Sequence, residues 1–229
     1  MRVVAVMIAA LTLGACGAQS PSAEPSRPTT TIGTTVTSAP TPAPSPSTLT
    51  TSAAPSPKAP PTPSESADPR WRFYTDDHAW HTSPWFEGSH QVMIGFGCNT
   101  APWYSHDSRC PGREGFHHGI DVAMPCGTRL FSDVRGTVVD PSSAGSPGAA
   151  YGPYAFRIRT QRRPQVDILI GHVKKVYVVP GDAVRPGRLI ARANDQGAPD
   201  GCHLHFEVRR AGGGLADAID PASYLHLSR

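Results

Sequence analysis

From residue 70 onward, apolar side chains alternate with polar ones over short runs, and no long uninterrupted stretch repeats every three or four residues. Residues 91–96, 129–131, 136–139, 155–160, 166–170, 175–179, 189–192 and 203–208 are rich in residues that favour strands. Turn signals such as Pro180-Gly181-Asp182 and Arg185-Pro186-Gly187 separate them. The pattern predicts a mainly β, antiparallel single domain over 70–229, with long loops and little helix. In the last run, Cys202-His203-Leu204-His205-Phe206-Glu207-Val208, strand alternation puts His203, His205 and Glu207 on one face and Leu204, Phe206 and Val208 on the other. A core face thus backs a polar face with metal-ligating chemistry.

The first third of the 229 residues reads differently. Met1-Arg2 and the apolar run 3–13 precede Leu13-Gly14-Ala15-Cys16, too short to span a bilayer as a helix. Residues 1–16 read as a secretory signal whose lipobox cysteine, Cys16, would carry a lipid anchor. The alternative is an ordinary signal peptide with an incidental cysteine. Residues 17–69 contain almost no large apolar side chain and alternate Pro with Ser, Thr and Ala, so they cannot bury enough surface to offset ordering entropy. They are expected to form a disordered stalk, with a reach on the order of 160 Å if extended as polyproline. An exported protein, lipid-anchored to the outer face of the cell membrane and acting in the cell wall, is the corresponding expectation.

Charges before residue 70 cancel, so the net +3 belongs to the domain, which is only mildly basic. Nucleic acid is not an expected partner. Arg157, Arg159, Arg162, Arg163, Lys174 and Lys175 would either meet an anionic polymer or form a solvated strand rim. The aromatics Trp71, Phe73, Tyr74, Trp80, Trp85 and Phe86 would pack over the sheet or line a groove.

Apart from Cys16, four cysteines remain, an even number in an oxidising compartment. Cys98 with Cys110 is the simplest local pair, leaving Cys126 with Cys202. Three pairings are formally possible, and thiolate metal ligation competes, but no Cys-x-x-Cys occurs. A Cys126–Cys202 bridge would bring the segment around Asp121 beside the one carrying His203.

Upstream, His117-His118-Gly119-Ile120-Asp121 places His117 and Asp121 on one face of an extended segment, with Gly119 between them. Joined by one histidine of the His203-Leu204-His205 pair, they would make a His-Asp-His site with an open position, the arrangement of a catalytic zinc. Glu207 would either orient a ring N–H or sit in an ordinary salt bridge.

This ordered set resembles the lysostaphin/LytM family of zinc endopeptidases that cut peptidoglycan. It comprises His117-x-x-x-Asp121, Gly127-Thr128, Gly136-Thr137-Val138, Gly171-His172-Val173, Pro180-Gly181-Asp182-Ala183-Val184 with Gly187, and His203 to Val208. The resemblance implies that family's duplicated hybrid fold, one Zn2+ per domain on His117, Asp121 and His205, and catalytic roles for His172 and His203. The general base stays open between those two. It also implies a metalloendopeptidase acting on stem peptides or cross-links of peptidoglycan as a monomer. The alternative is a non-catalytic LytM-like domain that binds the wall or regulates another hydrolase. One departure stands out. The family's Phe-Gly-x-Arg becomes Phe96-Gly97-Cys98-Asn99, without the arginine.

Overall fold

The computed structural model describes residues 67–229. The expected signal, Cys16 and nearly all of the Pro-rich stalk lie outside these described residues. The strands are β1 His81–Ser83, β2 Phe86–Ile94, β3 Gly97–Asn99, β4 Gly115–His117, β5 Gly119–Ala123, β6 Arg129–Phe131 and β7 Gly136–Val138. They continue as β8 Phe156–Thr160, β9 Val166–Gly171, β10 Val173–Lys174, β11 Ala183–Val184, β12 Leu189–Ala193, β13 His203–Arg210 and β14 Ala218–Ile219. The α-helix among the described residues is a single turn, α1 Ala222–Leu225. The mainly β, antiparallel expectation therefore holds.

Ten strands run in the order β10-β12-β6-β2-β5-β13-β9-β8-β7-β11, with β1 beside β2 and β14 beside β13; β3 and β4 form a separate ribbon. All pairings are antiparallel. β13 lies near the middle, between β5 and β9, and is buried on both faces along seven of its eight residues. Its apolar face, Leu204, Phe206 and Val208, packs into a core with Trp85, Val122, Ile158, Ile168 and Ile170. Its polar face must therefore find partners inside the protein, because a buried polar group without one costs free energy.

Trp85 anchors this core. It is fully buried, its indole N–H donates to the Tyr224 carbonyl at 2.8 Å, and its ring meets Phe206 edge-on at 4.9 Å. Trp85→Ala is expected to cost about 3–5 kcal/mol of folding stability, read as a lowered midpoint in chemical denaturation.

Both local-order cysteine pairings occur, Cys98–Cys110 and Cys126–Cys202. The second joins the loop after β5 to the residue that enters β13. The aromatic expectation divides: Trp85 and Phe86 are core, and Trp71 and Tyr74 pack on Met93, Ile94, Ala101 and Ala123. Phe73 and Trp80 stay exposed. Arg157 and Arg159 do not form a free basic surface, since both hold the buried Asp167 carboxylate, at 3.2 and 2.8 Å. The run 175–179 is not a strand. Lys175 adopts a left-handed conformation (φ 53°) that ends β10, although Val176 and Val178 still pack on the core and the Tyr177 N–H bonds the Ile190 carbonyl at 2.8 Å.

Candidate metal centre

The β13 register sets the site. His205 pairs with Asp121 of β5 on one side and Gly171 of β9 on the other, while Glu207 pairs with Gly119. His117, the last residue of β4, reaches the same space. His117 Nε2 lies 3.2 Å from His205 Nδ1 and 3.4 Å from Asp121 Oδ1, and the latter two atoms are 2.8 Å apart. All three residues are buried.

Zinc bonds of about 2.0–2.1 Å in a tetrahedron imply donor separations of roughly 3.3–3.4 Å, so this triangle is close to the size a small divalent metal requires. The outer ring nitrogens agree. His117 Nδ1–H donates to the Gly95 carbonyl at 2.9 Å, which leaves Nε2 as the free donor atom. His205 Nε2–H faces Glu207 Oε2 at 3.2 Å, which turns Nδ1 towards Asp121 and His117. These contacts fix tautomer and ring orientation, as partners of metal-ligating histidines do. The donor set fits zinc.

Close approach makes two glycines necessary. A Cβ on Gly119 would lie 2.7 Å from the Phe206 carbonyl oxygen and 2.8–2.9 Å from the His205 ring, and one on Gly171 would meet His205 Cβ at 3.1 Å. Gly119→Ala is expected to displace His205 and cost about 1–3 kcal/mol. Metal titration and denaturation of the variant would show both losses together.

The remaining histidines stand beside the triangle. His172 holds a left-handed φ of 52°, its backbone N–H bonds the Tyr151 carbonyl at 2.9 Å, and its Nδ1–H donates to the Gln196 carbonyl at 2.8 Å. Its ring centroid is 4.5 Å from that of His203 and 5.9 Å from that of His205. Burial, helped by His203 and His205, pushes its pKa down to about 3, so His172 is neutral near pH 7 with a lone pair at Nε2. His203 Nδ1–H donates to the Gly201 carbonyl at 2.9 Å. Its Nε2 is buried with no protein partner, 3.6 Å from Asp121 Oδ1. An orphaned ring nitrogen at this place calls for a partner outside the protein.

The sequence shows the same region. Residues 115–221 match Peptidase family M23. The matched stretch contains His117, Asp121, His172, His203 and His205. A curated relative from Buchnera aphidicola, described as an uncharacterized metalloprotease, is 32% identical over 92 residues, covering 40% of this chain but only 23% of that relative. Among solved structures, LytU is 26% identical over 66% of this chain and 88% of its own, with a TM-score of 0.46. A zinc-containing peptidase from Vibrio cholerae is 26% identical over 66% of this chain and 38% of its own, with a TM-score of 0.41. The lysostaphin catalytic domain from Staphylococcus simulans is 24% identical over 59% and 92%, with a TM-score of 0.43.

The electrostatics of the site follow from packing charges together. Burial alone would raise Asp121, but His117, His203 and His205 outweigh it and hold its carboxyl well below the usual range. Burial likewise opposes ionisation of Glu207. Hydrogen bonds from His205 and Arg209 nevertheless lower it to about 2. Glu207 is thus a buried carboxylate that faces the His205 ring N–H and also sits in a salt bridge with Arg209, so the two sequence-based roles occur together.

Several contributors had no motif to mark them. Asp200 is buried with Oδ1 3.5 Å from His203 Nδ1, Tyr104 packs 5.4 Å from the His117 ring, and Arg209 and Tyr151 hold Glu207. Asp121, Asp200 and His203 also cluster, and this second group shares Asp121 with the first. His118 points away, against Phe116 and Arg109. His81, His90 and His226 have structural partners in Asp77, the Glu87 carbonyl and Asp133. Asn99, where the family arginine would stand, is buried and caps its own turn through the Ala101 N–H.

Proposed function

We propose that this protein is a zinc-dependent endopeptidase that hydrolyses peptide bonds of peptidoglycan stem peptides or cross-links. The observation that carries this reading is the convergence of His117 Nε2, Asp121 Oδ1 and His205 Nδ1, flanked by the uncommitted Nε2 atoms of His172 and His203. The M23 match supports the substrate class.

His117, Asp121 and His205 would hold the zinc, which would supply a Lewis acid for a peptide carbonyl and for the attacking water near neutral pH. His172, neutral and with Nδ1–H anchored on Gln196, accepts the water proton at Nε2. His203, anchored through Nδ1–H on Gly201, presents Nε2 to the oxyanion or the leaving amine. Asp121 supplies the negative charge that offsets the cation, and Glu207 keeps His205 Nδ1 aimed inward. The expected N-terminal signal and Cys16 lipid anchor would hold this domain, as a monomer, on a long stalk at the outer membrane face, within reach of the wall.

The test is to incubate zinc-loaded full-length protein with purified peptidoglycan, with and without a chelator, and to identify released peptides by mass spectrometry. New termini that disappear with chelator support the reading and identify the bond. Zinc-loaded protein that binds the wall yet releases nothing points to the non-catalytic alternative and overturns it.

A further inference from the structure

The short turn that precedes β8 has no part in the proposed chemistry, yet it touches two of its histidines. Residues Ala149–Tyr151 form one turn of 3-10 helix closed by Gly152, whose φ is 84°. That turn is pressed against the loop 196–197. A Cβ on Gly152 would lie 2.4 Å from the Gln196 carbonyl oxygen, and one on Gly197 would lie 2.9 Å from Gly152 N. The Gln196 carbonyl accepts His172 Nδ1–H, and the Tyr151 carbonyl accepts the His172 backbone N–H at 2.9 Å. The Tyr151 main chain is therefore part of the seat of His172.

The Tyr151 side chain reaches the metal side of the site. Its ring lies 5.0 Å from that of His205 and its hydroxyl donates to Glu207 Oε2 at 2.9 Å. The same oxygen accepts His205 Nε2–H at 3.2 Å. The other oxygen of Glu207 accepts Arg209 Nε–H at 2.5 Å, and a second nitrogen of Arg209 donates to the Tyr151 hydroxyl at 3.1 Å. Glu207 is fully buried and Arg209 is only 2% exposed. Tyr151, Glu207 and Arg209 thus close a ring of hydrogen bonds in which each holds the other two. A carboxylate fixed this way has one orientation to offer His205, and buried networks whose members are all satisfied are rigid.

We propose that Tyr151 is a positioning residue of the metal centre: its hydroxyl fixes Glu207, Glu207 fixes the ring of His205, and its backbone carbonyl fixes His172 against the same turn. The inference rests on the metal-site reading above, but not on catalysis. It explains why a tyrosine, rather than any other aromatic residue, packs at this position. A phenylalanine would fill the space and leave Glu207 with one donor fewer.

The test uses full-length protein and four forms: wild type, Tyr151→Phe, Glu207→Gln and the double variant. Zinc affinity is measured by competition with a chromophoric chelator, and the visible absorption of the cobalt-substituted forms reports ligand geometry. Tyr151→Phe is expected to weaken zinc about tenfold and Glu207→Gln up to about 100-fold, the range seen when partners of metal ligands are removed. Both should alter the cobalt bands. The double variant should be no weaker than Glu207→Gln alone, because the hydroxyl acts through that carboxylate. A Tyr151→Phe protein with wild-type zinc affinity and cobalt spectrum overturns the proposal, as does a full further tenfold loss in the Glu207→Gln background. If wild-type protein takes up metal but cuts no peptidoglycan, the peptidase reading fails, and the affinity ratios still decide the role of Tyr151.

Discussion

His205→Ala is expected to lose zinc binding and peptide release together, whereas His203→Ala keeps the metal and loses turnover. In the first variant the Nδ1 donor disappears from a three-atom set, leaving His117 Nε2 and Asp121 Oδ1 at 3.4 Å with no third partner. The loss of affinity should exceed the roughly 100-fold seen when a mere partner of a ligand is removed. Restoring activity by adding zinc should then fail at any concentration the protein tolerates. The backbone of β13 and its core face, Leu204, Phe206 and Val208, are untouched by the change, so the metal-free fold should survive. His203 contributes no atom to the triangle, and its Nε2 is the buried orphan beside Asp121. Removing it should lower turnover by about 10²–10⁴, the usual contribution of a positioned acid or base, with zinc affinity nearly unchanged. Chelator competition and peptide release, measured on the same preparations, separate the two outcomes. Parallel losses of metal in both variants would mean that the two histidines had been assigned to the wrong roles.

That division between two neighbouring histidines shows where sequence reasoning stops. Alternation in His203 to Val208 identifies a strand with a core face and a polar face, because the period of two follows from local geometry. The same rule puts His117 and Asp121 on one side of Gly119, and the cysteine count anticipates a bridge that brings the segments together. Which histidine meets Asp121 depends instead on strand register, His205 opposite Asp121 and His203 opposite Ala123, and register is a long-range property. The resemblance to a peptidase family supplied that assignment from sequence; composition alone left it open. Tyr151 and Asp200 carry no local signal at all, whereas Arg209 continues the alternation of His205 and Glu207 along the strand. Tyr151 lies 56 residues from Glu207 in the chain, and the long-range pairing of β8, β9 and β13 with the packing of its turn against residues 196–197 brings the two together. The false strand at 175–179 has the opposite origin. Its apolar alternation is real and Val176 and Val178 do pack inward, but the left-handed Lys175 breaks the ladder that alternation alone predicts.

Zinc affinity should rise about tenfold per pH unit from pH 6 to 8. Both ring nitrogens of His205 face carboxylates, Nδ1 with Asp121 at 2.8 Å and Nε2 with Glu207 at 3.2 Å. Burial disfavours its charge, but the Asp121 carboxylate and the hydrogen bonds His205 donates to Asp121 and Glu207 outweigh that and lift its pKa from 6.5 to about 9. The proton at Nδ1 occupies the place a metal would take, so uptake of zinc must release it. Below pH 9 each unit of pH therefore changes the competition about tenfold. Asp121, held well below the ordinary carboxylate range, and Glu207, at about 2, stay ionised throughout this window, and His172, at about 3, stays neutral. None of these three adds to the slope. Stability moves in opposite directions with and without the metal. A raised histidine pKa stabilises the metal-free fold fully below pH 6.5, and that contribution is lost as pH climbs through about 9. Zinc binding strengthens over the same interval, so the gap in melting temperature between zinc-loaded and metal-free protein should widen from pH 6 to 9. Chelator competition at several pH values, with proton release followed by an indicator dye, measures the slope directly. A pH-independent affinity over this range would show that His205 is already neutral in the metal-free protein and that the two carboxylates do not hold its proton.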